Sequence, residues 1–239
     1  MRIRYEAISH VGAVRSRNED MAYIGGQTIR DDSDSFEFQI PAKGMKFGAI
    51  VCDGLGGRAD GDRASRMACE MFESFVDDLP EGLDANELIQ HIKRWFHIAN
   101  ESIMTAAAGN GMATTMTGLL LYFDQAYLVN SGDSQVYRMR HEYFRLLTKD
   151  HSERERLNDS SAPAHLMYNC LGIEDAFIDV TPTRIVEGDR YVICSDGLSD
   201  YVDVDEIERH SSSATDLLHD AMAQGAPDNV TLIVIDFLA

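Results

Sequence analysis

VTLIVIDF, residues 230–237, is apolar on both alternating faces until Asp236. A strand wetted on one face would alternate apolar with polar residues, so this run belongs in a sheet covered on both sides, with at least two layers around it. Candidate partners are spread along the chain. Residues 46–52 (KFGAIVC), 116–123 (MTGLLLYF), 126–130 (AYLVN), 134–139 (SQVYRM), 143–147 (YFRLL) and 190–195 (RYVICS) are short and rich in β-branched and aromatic residues. Each reads as a strand, as does the shorter MAYIGG that begins at Met21. The connections Asp124-Gln125 and Arg140-His141-Glu142 fit antiparallel hairpins and exclude helical crossovers at those points.

Helices supply the cover. Over residues 61–79, Ala64, Met67, Ala68, Met71, Phe72, Phe75, Val76 and Leu79 recur at three and four residues and form one helical face. A second helix is predicted over 84–107, opened by Asp84 and Glu87 in a D-x-x-E capping pattern, and antiparallel to the first. A third, near 215–224, stops at Gly225 with Pro227 just beyond. No repeat, linker or low-complexity tract divides the 239 residues, so residues 1–239 are expected to form a single domain.

Composition excludes several classes of function. The 40 acidic against 21 basic residues give a net charge of −19, which disfavours nucleic acid and anionic membranes as partners. Cys52, Cys69, Cys170 and Cys194 are scattered without C-x-x-C spacing, so neither a zinc site nor a disulfide framework is indicated. MRIRYEAISHVG has no apolar core of a signal peptide, and no stretch of the sequence is apolar enough to span a membrane. A cytoplasmic location is therefore expected.

The chemistry lies in where acids fall relative to strands. Asp53 and Asp196 each follow an apolar run closely and precede a glycine, and Asp133 follows AYLVNSG in the same manner. Asp228 sits just before the last strand, Glu19 and Asp20 just before MAYIGG, and Asp200 lies four residues after Asp196. Any one of these alone is better read as a turn residue, since Asp-Gly is a common turn signal. Together they place many carboxylates beside sequence that should be buried, where unpaired charge is costly, and divalent cations are the simplest compensation. All-oxygen ligation suits Mg²⁺ or Mn²⁺ rather than zinc. Arg15, four residues before Glu19, could bind a phosphate bidentately beside such ions or simply pair with a neighbouring acid, and Arg17 has the same two options.

The segments RSRNED, VCDGLGG, ATTMTG, NSGDSQVY, LTKDHS, ICSDGLSD and PDNVTL, in this order, make the chain resemble the metal-dependent Ser/Thr protein phosphatases of type 2C, particularly bacterial members, from about His10 to Phe237. The resemblance implies an α+β fold, a four-layer αββα sandwich of two antiparallel sheets flanked by pairs of helices. It implies that Asp53 bridges two catalytic Mn²⁺ or Mg²⁺ ions, that the Gly54 carbonyl binds one of them, and that Asp20, Asp196 and Asp228 complete the pair. Asp133 and Asp200 match the acids of a more labile third site shared with Asp196; Glu19 holds metal-bound water, Asn229 orients, and Arg15 takes the substrate phosphate. Thr114, Thr115 and His151 receive structural places.

The implied function is hydrolysis of phosphoserine and phosphothreonine in proteins by a metal-activated water, opposing a Ser/Thr kinase, by a monomer whose partners are that kinase and its targets. A weakly active regulatory pseudophosphatase and a phosphatase of small phosphorylated metabolites are the alternatives. Three departures from the family pattern bear on this. Leu55 stands where some relatives carry a histidine, Gln135 completes G-D-S-Q where the family usually reads G-D-S-R, and residues 152–171 are shorter than the usual flap and lack an arginine before Leu171-Gly172. A structural ion pair is thus expected to be missing at Gln135, and substrate preference is the least transferable property.

Overall fold

In the computed structural model, which describes residues 1–41, 44–55, 60–157 and 166–239, the run from residue 230 is a strand with neighbours on both edges. In chain order the elements are β1 (Arg2–His10), β2 (Met21–Ile24), β3 (Gln27–Ile29), β4 (Asp32–Gln39), β5 (Met45–Cys52), β6 (Gly54–Leu55), α1 (Gly61–Asp78) and α2 (Ala85–Ala107). There follow β7 (Ala113–Thr114), β8 (Met116–Phe123), β9 (Gln125–Ser131), β10 (Gln135–Arg140), β11 (Tyr143–Leu146), α3 (Glu153–Leu157) and β12 (Asp179–Thr183). The last elements are β13 (Arg190–Cys194), α4 (Asp196–Ser199), α5 (Val204–His210), α6 (Ala214–Ala223) and β14 (Val230–Leu238). One large sheet has the order β11-β10-β13-β14-β1-β4 and the other β12-β9-β8-β5-β2-β3, with antiparallel pairing throughout.

Both faces of β14 are covered, each by a different layer. Ile233, Ile235 and Phe237 turn inward and pack with Ala49, Val51 and Leu119 of the facing sheet. Leu232 and Val234 turn outward onto Leu217 and Ala221 of α6. Asp236, which breaks the apolar run, is buried between Arg4 Nη2 and Arg190 Nε, each donating at 2.7 Å. On the far side, Phe72 of α1 and Phe96 of α2 close a third core against Ile50 and Leu120. Three apolar seams between four layers make the αββα, α+β fold that the sequence led us to expect.

Local chemistry sets the helix ends. Asp84 Oδ1 accepts the N–H groups of Asn86 and Glu87, while Glu87 Oε2 accepts that of Asp84, completing the capping box. Ser213 caps α6 by accepting the Asp216 N–H, which starts that helix at Ala214. The strands β1, β4 and β12 lie outside the strands predicted above. In β1 the exposed or half-buried Arg2, Arg4 and Glu6 alternate with the buried Ile3, Tyr5 and Ala7, but Ile8 and Ser9 break the polar alternation while the burial alternation continues. Strands β4 and β12 are sheet edges, mostly exposed and held by backbone pairing with β1 and β9; Pro182 is tolerated in β12 because its outer edge has no neighbour. Asp196 lies two residues beyond the end of β13 and opens the four-residue α4. Gly56 and Gly57 of the VCDGLGG motif, and the middle of the 152–171 segment, lie outside the described residues.

Candidate active site

The antiparallel registers deliver the acidic residues to one end of the sandwich. Cys52, which precedes Asp53, pairs with Met21, which follows Asp20. Ser131, before Asp133, pairs with Met116 of the adjoining hairpin. In the other sheet Cys194 and His10 pair with Leu232 and Val230, so the starts of Ser195-Asp196 and the end of Asp228-Asn229 meet there. A cavity of about 370 Å³ opens at this end, lined by Asp53, Gly54, Asp133, Asp196, Asp228, Arg15, Glu19 and Asn229, with Leu55 and Met167 as its apolar wall.

Asp53 is held through its peptide rather than its carboxyl. Its N–H donates to Thr115 Oγ1 at 2.9 Å, and its carbonyl accepts Thr114 Oγ1–H and the Thr115 N–H, each at 2.8 Å. The side chain is left facing the cavity. At Gly54 a Cβ would stand 2.3 Å from the Gly61 carbonyl oxygen and 2.5 Å from that of Glu19, so no larger residue fits there. Asn229 ties the surrounding loops: its Oδ1 accepts the Glu19 N–H, and its Nδ2 donates to the carbonyls of Val11 and Arg17.

Arg15 Nη2 donates to Asp228 Oδ2 at 2.6 Å, an ion pair at the cavity wall. Arg17 lies 3.5 Å from Asp62. Asp20 and Asp200 do not line the cavity. Asp20 is 1 % exposed and accepts Ser195 Oγ–H at 2.8 Å. Asp200 is exposed, follows the last residue of α4, and acts electrostatically on Asp133 and Asp196.

Asp150 was missed by sequence reasoning, although it lies just past the strand 143–147 as the other acids lie beside theirs. It is partly buried and accepts Gln135 Nε2–H on both oxygens, at 3.2 and 3.0 Å. A neutral amide thus faces the Asp150 carboxyl from the position where G-D-S-Q departs from the usual arginine.

Burial, with repulsion from neighbouring carboxylates, raises the pKa values of Asp20, Asp53, Asp133, Asp150 and Asp196. Asp53 is pushed well up by burial and then by the neighbouring Asp20, Asp196 and Asp133. Burial takes Asp133 up to about 8 and Asp20 to about 7, with Asp196 adding to both and Ser195 opposing the rise at Asp20. Asp196 and Asp150 rise to about 6, again chiefly by burial. Among the described residues no donor reaches the buried Asp196 Oδ1, and its near neighbour is another carboxyl, that of Asp53. Among the described residues no three His, Cys, Asp or Glu side chains are drawn together tightly enough to enclose an ion as they stand. The orphaned oxygen, the all-oxygen donor set and the surplus negative charge fit hard divalent cations, and among the described residues no imidazole or thiol lines the cavity.

These shifts fix a pH dependence. A carboxyl with a raised folded-state pKa stabilises the fold below its unfolded pKa, and that contribution is lost as pH rises through the folded value. The loss starts near the unfolded carboxyl value of about 4 and is complete at about 6 for Asp196, about 7 for Asp20 and about 8 for Asp133. In chelator, the melting temperature is expected to fall by on the order of 10 °C from mildly acidic to mildly alkaline pH, and Mn²⁺ should abolish most of that fall. A flat or rising profile in chelator would show that the carboxyls are already compensated.

Comparison with known proteins adds an independent line. The sequence profile of the family described as "Protein phosphatase 2C" matches residues 24–232. The serine/threonine protein phosphatase PstP of Mycobacterium tuberculosis is 29% identical over 254 residues, covering 98% of this chain and 45% of PstP, so the chain spans less than half the length of that relative. The serine/threonine phosphatase stp of Listeria monocytogenes is 27% identical over 209 residues, 78% of this chain and 83% of the relative. The crystal structure of the catalytic domain of PstP in complex with 2 manganese ions superposes with a TM-score of 0.81 at 29% identity, each chain covered to 100%.

Proposed function

The chain belongs to the protein phosphatase 2C family, and from that premise we propose that it is a metal-dependent protein serine/threonine phosphatase. The carrying observation is the convergence of Asp53, Asp133, Asp196 and Asp228 on one cavity, with a buried Asp196 oxygen that has no donor and a guanidinium beside it. Asp53, Asp196, Asp228 and Asp20, with the Gly54 carbonyl, would hold two Mn²⁺ or Mg²⁺ ions. Asp133 and Asp200, with Asp196, would hold a weaker third, and Glu19 would order water beside them. When bound, the cations supply Lewis acidity, making hydroxide available near neutral pH and offsetting charge on the phosphoryl oxygens.

The chain's own groups do the rest. The peptide of Asp53, gripped by Thr114 and Thr115, fixes where its carboxylate sits. Asp228 holds one Arg15 nitrogen, which leaves the remaining N–H groups of that planar fork for the phosphoryl oxygens. Leu55 and Met167 shield one wall from solvent. The free cysteines Cys52, Cys69, Cys170 and Cys194 are all buried and none lines the cavity, so attack by water without a thiol intermediate suits the site best. The substrates would be phosphorylated proteins, with a cognate Ser/Thr kinase and its targets as partners, in the cytoplasm and with the chain acting as a monomer. Among the described residues no helix is long and apolar enough to cross a membrane.

Phosphate release from phosphothreonine peptides should exceed that from small phosphomonoesters in kcat/KM; the reverse order would favour a metabolite phosphatase. Arg15→Ala is expected to lower kcat/KM for a phosphopeptide roughly 10- to 100-fold, mainly through KM, as loss of a charged phosphate contact should. An unchanged KM would leave Arg15 as a partner of Asp228 alone.

A further inference from the structure

We propose that His151 is a positioning residue for Asp133, gripping the turn that presents this carboxylate to the cavity. The inference rests on the reading of Asp133 as a cation ligand. Asp133 follows Gly132, whose φ of +126° places it in a region that favours glycine, and a Cβ there would stand 2.6 Å from Thr115 Cγ2. A turn built on glycine has little stiffness of its own, so something else must hold it. His151 does so at both ends of the Gly132 residue. Its backbone N–H donates to the Gly132 carbonyl at 2.9 Å, and its ring Nδ1 accepts the Gly132 N–H at 3.1 Å.

The ring's own state follows from its neighbours. Asn169 Oδ1 accepts the Phe177 N–H and Asn169 Nδ2 donates to the Phe177 carbonyl, both at 2.9 Å, which fixes which end of the amide is which. The same Nδ2 lies 2.7 Å from His151 Nδ1 and 3.2 Å from Ser131 Oγ, and since the Gly132 N–H that points at Nδ1 can only donate, Nδ1 is the accepting nitrogen and carries no proton. The proton is on Nε2, 3.1 Å from Asp179 Oδ2, which accepts it. Tyr168 and Phe177 confine the buried ring, with centroids at 5.6 and 4.9 Å. This is the arrangement in which a group behind a ligand sets that ligand's orientation, and losing such support costs roughly 10- to 100-fold in metal affinity.

Calorimetric Mn²⁺ titration of the wild type, Asp133→Asn, His151→Leu and His151→Asn tests the proposal without measuring turnover. Asp133→Asn is expected to remove the weaker class of binding. His151→Leu should weaken that class by about tenfold and spare the tighter one. His151→Asn, whose Oδ1 can accept the Gly132 N–H, should stay within about threefold of wild type. Should His151→Leu not fold, His151→Asn and the ring ¹⁵N spectrum of the wild type decide, the latter expected to show a proton on Nε2 and none on Nδ1. Loss of all binding classes together in His151→Leu, loss of the weaker class in His151→Asn, or a proton on Nδ1 would overturn the proposal. If Asp133→Asn lowers binding and His151→Leu does not, the proposal falls and the reading of Asp133 stands. If Asp133→Asn changes nothing, both fall.

Discussion

Asp196→Asn is expected to reduce phosphopeptide hydrolysis by on the order of 1,000-fold or more, while Asp200→Asn should reduce it about tenfold and be rescued in part by added Mn²⁺. Asp196 opens the short α4 and Asp200 follows its last residue, and the difference lies in what surrounds them. Asp196 is mostly buried, lines the cavity, adjoins Asp53, and has an oxygen that no donor satisfies. Asp200 is exposed, lies off the cavity wall, and acts on Asp133 and Asp196 through its charge. Removing a ligand of the catalytic pair changes the chemistry, whereas removing a charge at the weaker third site changes occupancy. Initial rates against Mn²⁺ concentration separate the two outcomes. Equal losses in both variants, uncorrected by Mn²⁺, would place the residues on an equal footing and undo the division of sites.

Asp53→Asn is expected to cost at least as much activity and, in chelator at mildly alkaline pH, to raise the melting temperature by several degrees. Those opposite signs share one cause. Burial, with Asp20, Asp196 and Asp133 close by, makes the Asp53 carboxylate expensive to ionise, and asparagine keeps the shape without the charge. The peptide contacts with Thr114 and Thr115 do not involve the carboxyl, so the substitution leaves them intact. Thermal unfolding of both proteins in chelator checks the stability half, and a lowered melting temperature in the variant would mean that Asp53 is already paired.

How legible the molecule was in its sequence depended on whether an interaction left a local trace. The layers were legible because β14 is apolar on both faces, and the Asp84-Glu87 box because capping needs particular residues three apart. Edge strands were not, because β4 and β12 are held by backbone pairing, which has no side-chain signature. The acids of the site could be found by their places beside strands, whereas the pairing of Arg15 with Asp228 joins residues 213 apart and had no local signal. Leucine at 55 and methionine at 167 meet as one wall only through folding. The Gly132 turn was visible as a glycine before an acid, but its grip by His151, 19 residues on, was not.

The central claim is that these carboxylates work by holding divalent cations. Phosphate release from a phosphothreonine peptide, followed as chelator-stripped protein is titrated with Mn²⁺, tests it most directly. The expected result is no turnover in the stripped protein and saturable recovery with Mn²⁺ that Asp53→Asn fails to show. Turnover that survives complete chelation, or none at any Mn²⁺ or Mg²⁺ concentration, would contradict it.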